Sequence, residues 1–155
     1  MKITVAGAAG TGETVVGAFD AAIGKAGIGN RNLICLSSVI PPGAEVQPVA
    51  RHQAQGEWGD RVYVVLAQQY ATAPGEEAWA GLGWGFDANA NAGLLVHAEG
   101  ASEAIVKQHI EGSLDDLGAN RGLTLDGRQH VITGTEYTGK PVCAIVAAVF
   151  GSEPL

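Results

Sequence analysis

Residues 27–45 read Gly27-Ile28-Gly29-Asn30-Arg31-Asn32-Leu33-Ile34-Cys35-Leu36-Ser37-Ser38-Val39-Ile40-Pro41-Pro42-Gly43-Ala44-Glu45, and they contain the most informative pattern in the chain. Leu33–Val39 predicts a buried strand, because its first four residues form a short apolar run. The strand is expected to end at Pro41-Pro42, since proline donates no backbone hydrogen bond. Ser37 and Ser38 precede that end, where their hydroxyls need hydrogen-bond partners. By spacing alone, the serine pair indicates strand-end polarity before a turn.

Upstream of this stretch, the sequence predicts one strand and one helix. In Lys2–Gly7 apolar residues alternate with polar or small ones, which places Ile3 and Val5 on one face of a strand. The glycines that follow predict a strand-to-helix turn, with Thr11 as a candidate N-cap. Apolar residues at three- and four-residue spacing then predict a helix over Thr14–Ala26.

The glycine-rich segment before that helix matches the phosphate-binding loop pattern only in part. Gly7, Gly12 and Thr14 fit the pattern, but Glu13 stands where the loop requires a lysine. A carboxylate there would repel the phosphates that the backbone should bind. No nucleotide cofactor is therefore expected.

Downstream, the pattern predicts mainly strands. Val46–Asp60 is polar and predicts a long connection, and Ser102–Leu117 predicts a second helix with Ser102 as its N-cap. The predicted strands are Arg61–Gln68, Glu77–Phe86, Gly93–Ala98, Gln129–Tyr137 and Pro141–Phe150. Strands clustered between two helices predict an α+β fold, a layered sandwich of largely antiparallel β-sheets flanked by helices.

Composition narrows the class of protein. The 155 residues suit a single domain, residues 1–155, and the formal net charge of −7 argues against a nucleic-acid partner. The chain shows no signal peptide and no apolar run of membrane length, so a cytoplasmic protein without a membrane partner is expected. Cys35 and Cys143 lie in apolar runs and predict buried, reduced thiols. No histidine or cysteine spacing predicts a metal site.

The stretch around the two serines resembles the processing site of the pyruvoyl-dependent arginine decarboxylases, whose pattern is Gly-Ile-Gly-Asn-x-Asn-Leu-Ile-x-x-Ser-Ser-x-x-Pro-Pro. The matching residues are Gly27, Ile28, Gly29, Asn30, Asn32, Leu33, Ile34, Ser37, Ser38, Pro41 and Pro42. Further similarity is found around Asp20 and over residues 74–76 and 93–100, and it fades towards the C-terminus. The resemblance covers about two thirds of the chain and is more specific than a loose short motif.

The resemblance implies that the chain cleaves itself between Ser37 and Ser38. The hydroxyl of Ser38 would attack the carbonyl of Ser37, leaving chains 1–37 and 38–155. Ser38 would become a covalent pyruvoyl group, which condenses with a substrate amine and accepts the electrons released with carbon dioxide. The implied reaction is the decarboxylation of arginine to agmatine, with no metal required.

Four further residues gain roles from the resemblance. Asp20 matches a position that binds the cationic end of the substrate, and Asn32 matches one near the reacting centre. By position alone, Asp20 is an exposed helix carboxylate, and Asn32 is equally well explained as a turn-capping amide. Where the family has a proton-transferring glutamate, this chain has His97. Glu99 retains the family's second acid, and the resemblance implies that it binds the substrate. Imidazole can relay protons near neutral pH, although a lone strand histidine is ordinarily structural.

His97 leaves two alternatives open. It removes a negative charge and so weakens attraction for dicationic arginine, which favours a different amino-acid substrate. The second alternative is a homologue that never cleaves and serves as a structural or binding subunit. The resemblance also implies a homo-oligomer, a trimer or a hexamer, with sites between neighbouring subunits.

Overall fold

The computed structural model describes all residues from Met1 to Leu155 and contains nine strands and two helices. The strands are β1 (Lys2–Thr11), β2 (Asn32–Cys35), β3 (Val39–Ile40), β4 (Glu45–Pro48), β5 (Arg61–Ala71), β6 (Glu77–Asp87), β7 (Ala92–Gly100), β8 (Asp126–Glu136) and β9 (Val142–Glu153). The helices are α1 (Val15–Ala26) and α2 (Glu103–Arg121).

Two stacked sheets form the centre of the fold. The first sheet has the strand order β2-β5-β9-β1-β4 and the second has the order β3-β7-β6-β8. Most neighbours are antiparallel; the two edge strands of the first sheet, β2 and β4, pair in parallel with β5 and β1. The predicted α+β sandwich of largely antiparallel sheets is therefore confirmed.

Three apolar clusters hold the layers together. The largest lies between the two sheets and includes Trp84, Leu95 and Ile40. A second packs α1 onto the outer face of the first sheet, and a third packs α2 onto the outer face of the second. Each helix thus covers one sheet, because its apolar stripe must be removed from water.

The helix ends follow the expected capping chemistry with one correction. Thr14, not Thr11, is the N-cap of α1, and its hydroxyl accepts a hydrogen bond from Gly17 N. Ser102 caps α2 as predicted, and its helix runs on to Arg121. Gly27 and Gly122 end the two helices with φ angles of 89° and 64°, the left-handed conformation that glycine adopts without strain. Neither helix combines the length and the apolar character that crossing a bilayer requires.

The predicted strand-to-helix turn is shorter than expected, because β1 includes the glycine-rich residues up to Thr11 and only residues 12–14 connect it to α1. β1 continues to Thr11 and pairs with β9 from Thr4 to Thr11. A Cβ on Gly10 would lie 2.4 Å from the backbone oxygen of Ala18 in α1. Glycine is needed there because the helix crosses close over the strand.

Two other predictions are corrected. Val46–Asp60 is not wholly a connection, since Glu45–Pro48 pairs with β1 at the edge of the first sheet, where a proline is tolerated. The predicted strand over Leu33–Val39 is interrupted at residues 36–38 and is not buried. Cys35 is exposed because β2 is an edge strand, whereas Cys143 is buried as predicted. Burial raises the pKa of the Cys143 thiol to about 11, which keeps it protonated.

Candidate active site

The two serines lie where the chain passes from one sheet to the other. β2, which precedes them, belongs to the first sheet, and β3, which follows them, belongs to the second. Leu36 N donates to Val64 O of β5 at 2.7 Å, and Leu95 N of β7 donates to Ser38 O at 2.8 Å. The intervening peptide is therefore anchored at both ends, each time to a different sheet.

The Ser37–Ser38 peptide bond itself makes no hydrogen bond within the chain. The carbonyl of Ser37, the backbone N–H of Ser38 and both hydroxyls have no partner in the structure. Ser37 is exposed and Ser38 is half-buried. A peptide in this setting is open to attack at its carbonyl, because no secondary-structure bond has to break first.

A cavity of about 400 Å³ opens beside Ser37, and its lining includes neither Ser38 nor His97. Its wall is mainly apolar and includes Leu36, Val39 and Phe150, together with the ring of Tyr63. The hydroxyl of Tyr63 donates to Glu153, and Arg61 lies 3.5 Å from the same carboxylate. The sequence predicted no role for these three polar residues, because they are scattered singly in strands.

His97 and Glu99 lie on β7, the strand that binds Ser38. Residues Leu95, His97 and Glu99 share one face of β7, because side chains alternate along a strand. Leu95 lies in the core between the sheets. The imidazole of His97 and the carboxylate of Glu99 lie on the same side of β7, further along the strand and nearer to solvent. His97 Nδ1 lies 2.8 Å from Glu99 Oε1, with the His97 side chain about half exposed (54%) and Glu99 less so (28%).

The carboxylate changes the protonation of the imidazole. The hydrogen bond to Glu99 raises the pKa of His97 above its ordinary value, against the opposing effect of desolvation, and the charge of Glu99 adds to the increase. The structure thus places Ser37 and Ser38 next to β7, the strand that carries His97 and Glu99, at the level of Leu95. At ordinary strand spacing His97 and Glu99 lie about 7 Å and about 13 Å further along that strand.

Asn32 lies at the opposite end of β2 from the serines. Its Nδ2 donates to Gly59 O at 2.6 Å, and its backbone N donates to Asp60 O at 2.8 Å. Across four extended residues, β2 separates Asn32 from Cys35 by about 10 Å, and Ser38 lies beyond that. Within one chain, the Asn32 amide therefore fixes the residue 56–60 loop.

Asp20 is also not brought to the serines within one chain. It lies on the exposed face of α1, whose buried residues pack over the first sheet. That helix contacts β1 and β9, and β1 is about 14 Å from β2 at ordinary strand spacing. Its carboxylate makes no hydrogen bond or ion pair within the chain.

His52 is buried but belongs to the fold. Its Nε2 donates to Ala147 O at 3.1 Å, so its Nδ1 accepts from the hydroxyl of Thr4 at 2.7 Å. Both ring nitrogens are thereby satisfied by β1 and β9. Burial lowers the pKa of His52, which keeps the ring neutral.

The residues around Ser38 suit a covalent group made from its own backbone. The hydrogen bond from Leu95 and the pairing of Val39 with Leu94 fix the chain on the C-terminal side of the serine. On the N-terminal side, exposed Ser37 leaves room for water. A ketone at position 38 would thus remain attached to β3, opposite Leu95 and two residues along β7 from His97.

Comparison with known proteins gives consistent results over nearly the whole chain. A model of the family described as pyruvoyl-dependent arginine decarboxylase matches residues 2–154. The chain is 31% identical over 167 residues to the pyruvoyl-dependent arginine decarboxylase of Halobacterium salinarum, covering 99% of this chain and 97% of the relative. It is 31% identical to that of Pyrococcus abyssi (96% and 93% covered) and 28% identical to pyruvoyl-dependent arginine decarboxylase 2 of Archaeoglobus fulgidus (85% and 84%).

Proposed function

The chain belongs to the pyruvoyl-dependent arginine decarboxylase family, and from that premise we propose that it cleaves itself at Ser37–Ser38 and then decarboxylates arginine to agmatine. The observation that carries the proposal is the unbonded Ser37–Ser38 peptide held between the two sheets. Family membership makes the protein a carboxy-lyase, while the substrate and the residue roles are our inference.

In the proposed cleavage, Ser38 Oγ attacks the Ser37 carbonyl carbon, and the acyl group moves from nitrogen to oxygen. Elimination across the Cα–Cβ bond of residue 38 then breaks the ester, so that Ser37 leaves as a carboxylate and residue 38 keeps a Cα–Cβ double bond. Addition of water and release of ammonia convert residue 38 into a ketone. The small chain, residues 1–37, then ends in a carboxylate at Ser37. Anchors on Leu36 and Ser38 support this step, because they hold the ends of the peptide while its carbonyl changes geometry.

In the proposed decarboxylation, the pyruvoyl group supplies an electron sink when the substrate amine is bound to it. His97 donates the proton that replaces the departing carboxylate, and its raised pKa supports that role near neutral pH. The apolar wall beside Ser37 favours loss of the substrate's carboxylate charge, since a dry environment disfavours ions.

Asp20 and Asn32 enter the proposed site from a neighbouring subunit. Within one chain both residues lie far from Ser38. The carboxylate of Asp20 is exposed and free to bind a guanidinium group. An oligomer, trimeric or hexameric, is supported by the apolar residues exposed around the serines, Ile34, Leu36 and Val39. Asp20→Asn is expected to raise the KM for arginine more than it lowers kcat.

The experiment that tests cleavage is denaturing mass spectrometry of the purified protein. We expect two fragments, residues 1–37 and 38–155, with the larger one captured by borohydride in the presence of an amine. Ser38→Ala should give a single intact mass, and the matched variant Ser113→Ala on α2 should cleave normally. A single intact mass for the unmodified protein would contradict the proposal and favour a non-cleaving subunit.

Release of carbon dioxide from a panel of amino acids then tests the substrate. We expect arginine to be the best substrate. The His97–Glu99 pair supports one competing candidate, an amino acid with a single positive charge, because an imidazolium that balances the Glu99 carboxylate leaves less negative charge to attract a second cation. If the chain is cleaved but releases carbon dioxide only from an amino acid with a single positive charge and not from arginine, that amino acid would replace arginine as the substrate.

A further inference from the structure

We propose that Glu99 is a positioning residue for His97, whose carboxylate holds Nδ1 so that Nε2 is the atom through which His97 exchanges its proton in the site. The inference rests on the proposed function, because it assigns a role within that reaction. It also replaces the direct contact with substrate that the resemblance implies for Glu99.

The geometry is that of a fixed pair on one strand. The two residues are two positions apart on β7, so both side chains leave the same face. Opposite them on β6 stand Leu82 and Ala80, small or apolar residues that offer no competing hydrogen bond. The Nδ1–Oε1 distance of 2.8 Å is that of a charge-assisted hydrogen bond.

This hydrogen bond selects the tautomer of the ring. An ionised carboxylate only accepts hydrogen bonds, so Nδ1 must carry a proton in both the neutral and the charged ring. The titrating proton is therefore the one on Nε2, and no hydrogen bond within the chain engages that atom. Nε2 is left free to give its proton to a reacting carbon and to regain it from water.

Other elements around His97 bring no second charge to it. The opposite face of β7 packs against α2 through apolar residues, including Val106 and Ile110. The chain adjoining β7 on its other edge carries Ser37 and Ser38, which are uncharged at neutral pH. Among charged groups, Glu99 alone influences the pKa of His97, and it raises it.

The same pairing changes what Glu99 can do for the substrate. A carboxylate bonded to an imidazolium has its charge balanced, so it attracts a guanidinium group less than a free carboxylate does. Loss of Glu99 should accordingly affect proton transfer and not substrate affinity. The proposal is tested by separating these two effects.

The first test is ¹⁵N NMR of the histidine rings, made on the protein as purified and on the uncleaved Ser38→Ala chain, with the His97 signals identified by His97→Gln. We expect the neutral ring to carry its proton on Nδ1 and to titrate above 6.5, the ordinary histidine pKa. In Glu99→Gln, the proton should move to Nε2 and the pKa should fall to 6.5 or below. Glu99→Asp should restore a raised pKa, and Glu103→Gln, an exposed acid at the start of α2, should change neither property.

The second test is the pH profile of decarboxylation. In Glu99→Gln, kcat should fall and the alkaline limb should shift to lower pH, while KM stays unchanged. An increase in KM with an unchanged pH profile would overturn the proposal, as would an unchanged tautomer and pKa of His97. The NMR measurement needs no turnover, so an inactive or uncleaved protein would count against the proposed function alone.

Discussion

At the scale of single residues, His52 and His97 respond to their surroundings in opposite directions. His52 is buried against β9 with a lowered pKa, whereas His97 is half exposed beside a carboxylate with a raised pKa. A buried ring with a lowered pKa leaves the stability unchanged at a pH where the ring is also neutral in the unfolded chain, and it destabilises the fold at a lower pH. A ring that gains a carboxylate partner stabilises the fold only where it is protonated.

We expect the free energy of unfolding of the uncleaved Ser38→Ala chain to fall as the pH drops below 6.5 because of His52. The unfolded ring takes up a proton there while the folded ring does not, so acid favours unfolding by at most about 1.4 kcal/mol per pH unit. His52→Gln should remove this part of the pH dependence, and His109→Gln on α2 should retain it. Urea titrations between pH 5 and 8 measure both; identical slopes for all three chains would contradict the assignment.

For His97 the expected sign is reversed. Its contribution to stability is complete below 6.5 and disappears as the pH rises through its raised pKa. Because the pair is solvent-exposed, its effect on unfolding should be small, and activity is the more sensitive measurement. His97→Gln should lower kcat by about 10²-fold or more, the usual contribution of a general acid. An unchanged kcat would exclude His97 as the proton donor, and His130→Gln on β8 is the matched control.

At the scale of elements, α2 approaches β6 closely because glycines leave space for its side chains. A Cβ on Gly83 would lie 2.1 Å from Cγ2 of Ile110. Gly83→Ala should therefore lower the free energy of unfolding by about 1–3 kcal/mol, the usual cost of overpacking. Gly112→Ala on α2 meets nothing within 4 Å and should raise it by about 1 kcal/mol, since alanine favours a helix. Equal effects in urea unfolding would contradict this packing.

Comparison of sequence and structure shows which elements local pattern could predict. α1, α2, β5 and β7 were predicted because a periodic apolar face or a run of β-formers determines each. β2 and β4 were misjudged, since a four-residue edge strand is fixed by its partner and not by its own pattern. The site was predicted in part: the resemblance gave the serines and His97, but only the fold shows the His97–Glu99 bond and the separation of Asp20 and Asn32.

At the scale of the whole molecule, the small chain released by cleavage would be held in the middle of the fold. It contributes β1, which pairs with β9 over eight residue pairs and with β4 on its other side. It also contributes α1, whose apolar face packs against the first sheet. We therefore expect fragments 1–37 and 38–155 to elute together in gel filtration and to separate only in concentrated guanidinium chloride. Loss of the small fragment under native conditions would contradict this.

The crossing of the serines between the sheets has a consequence for the life of the catalyst. A diffusible coenzyme can dissociate, and after chemical damage it can be replaced by another molecule from solution. A ketone generated from the main chain at residue 38, immediately before β3, can be neither removed nor replaced. Each polypeptide would receive one such group, and oxidative or reductive damage to it would be permanent, so that lost activity could be recovered only by new synthesis.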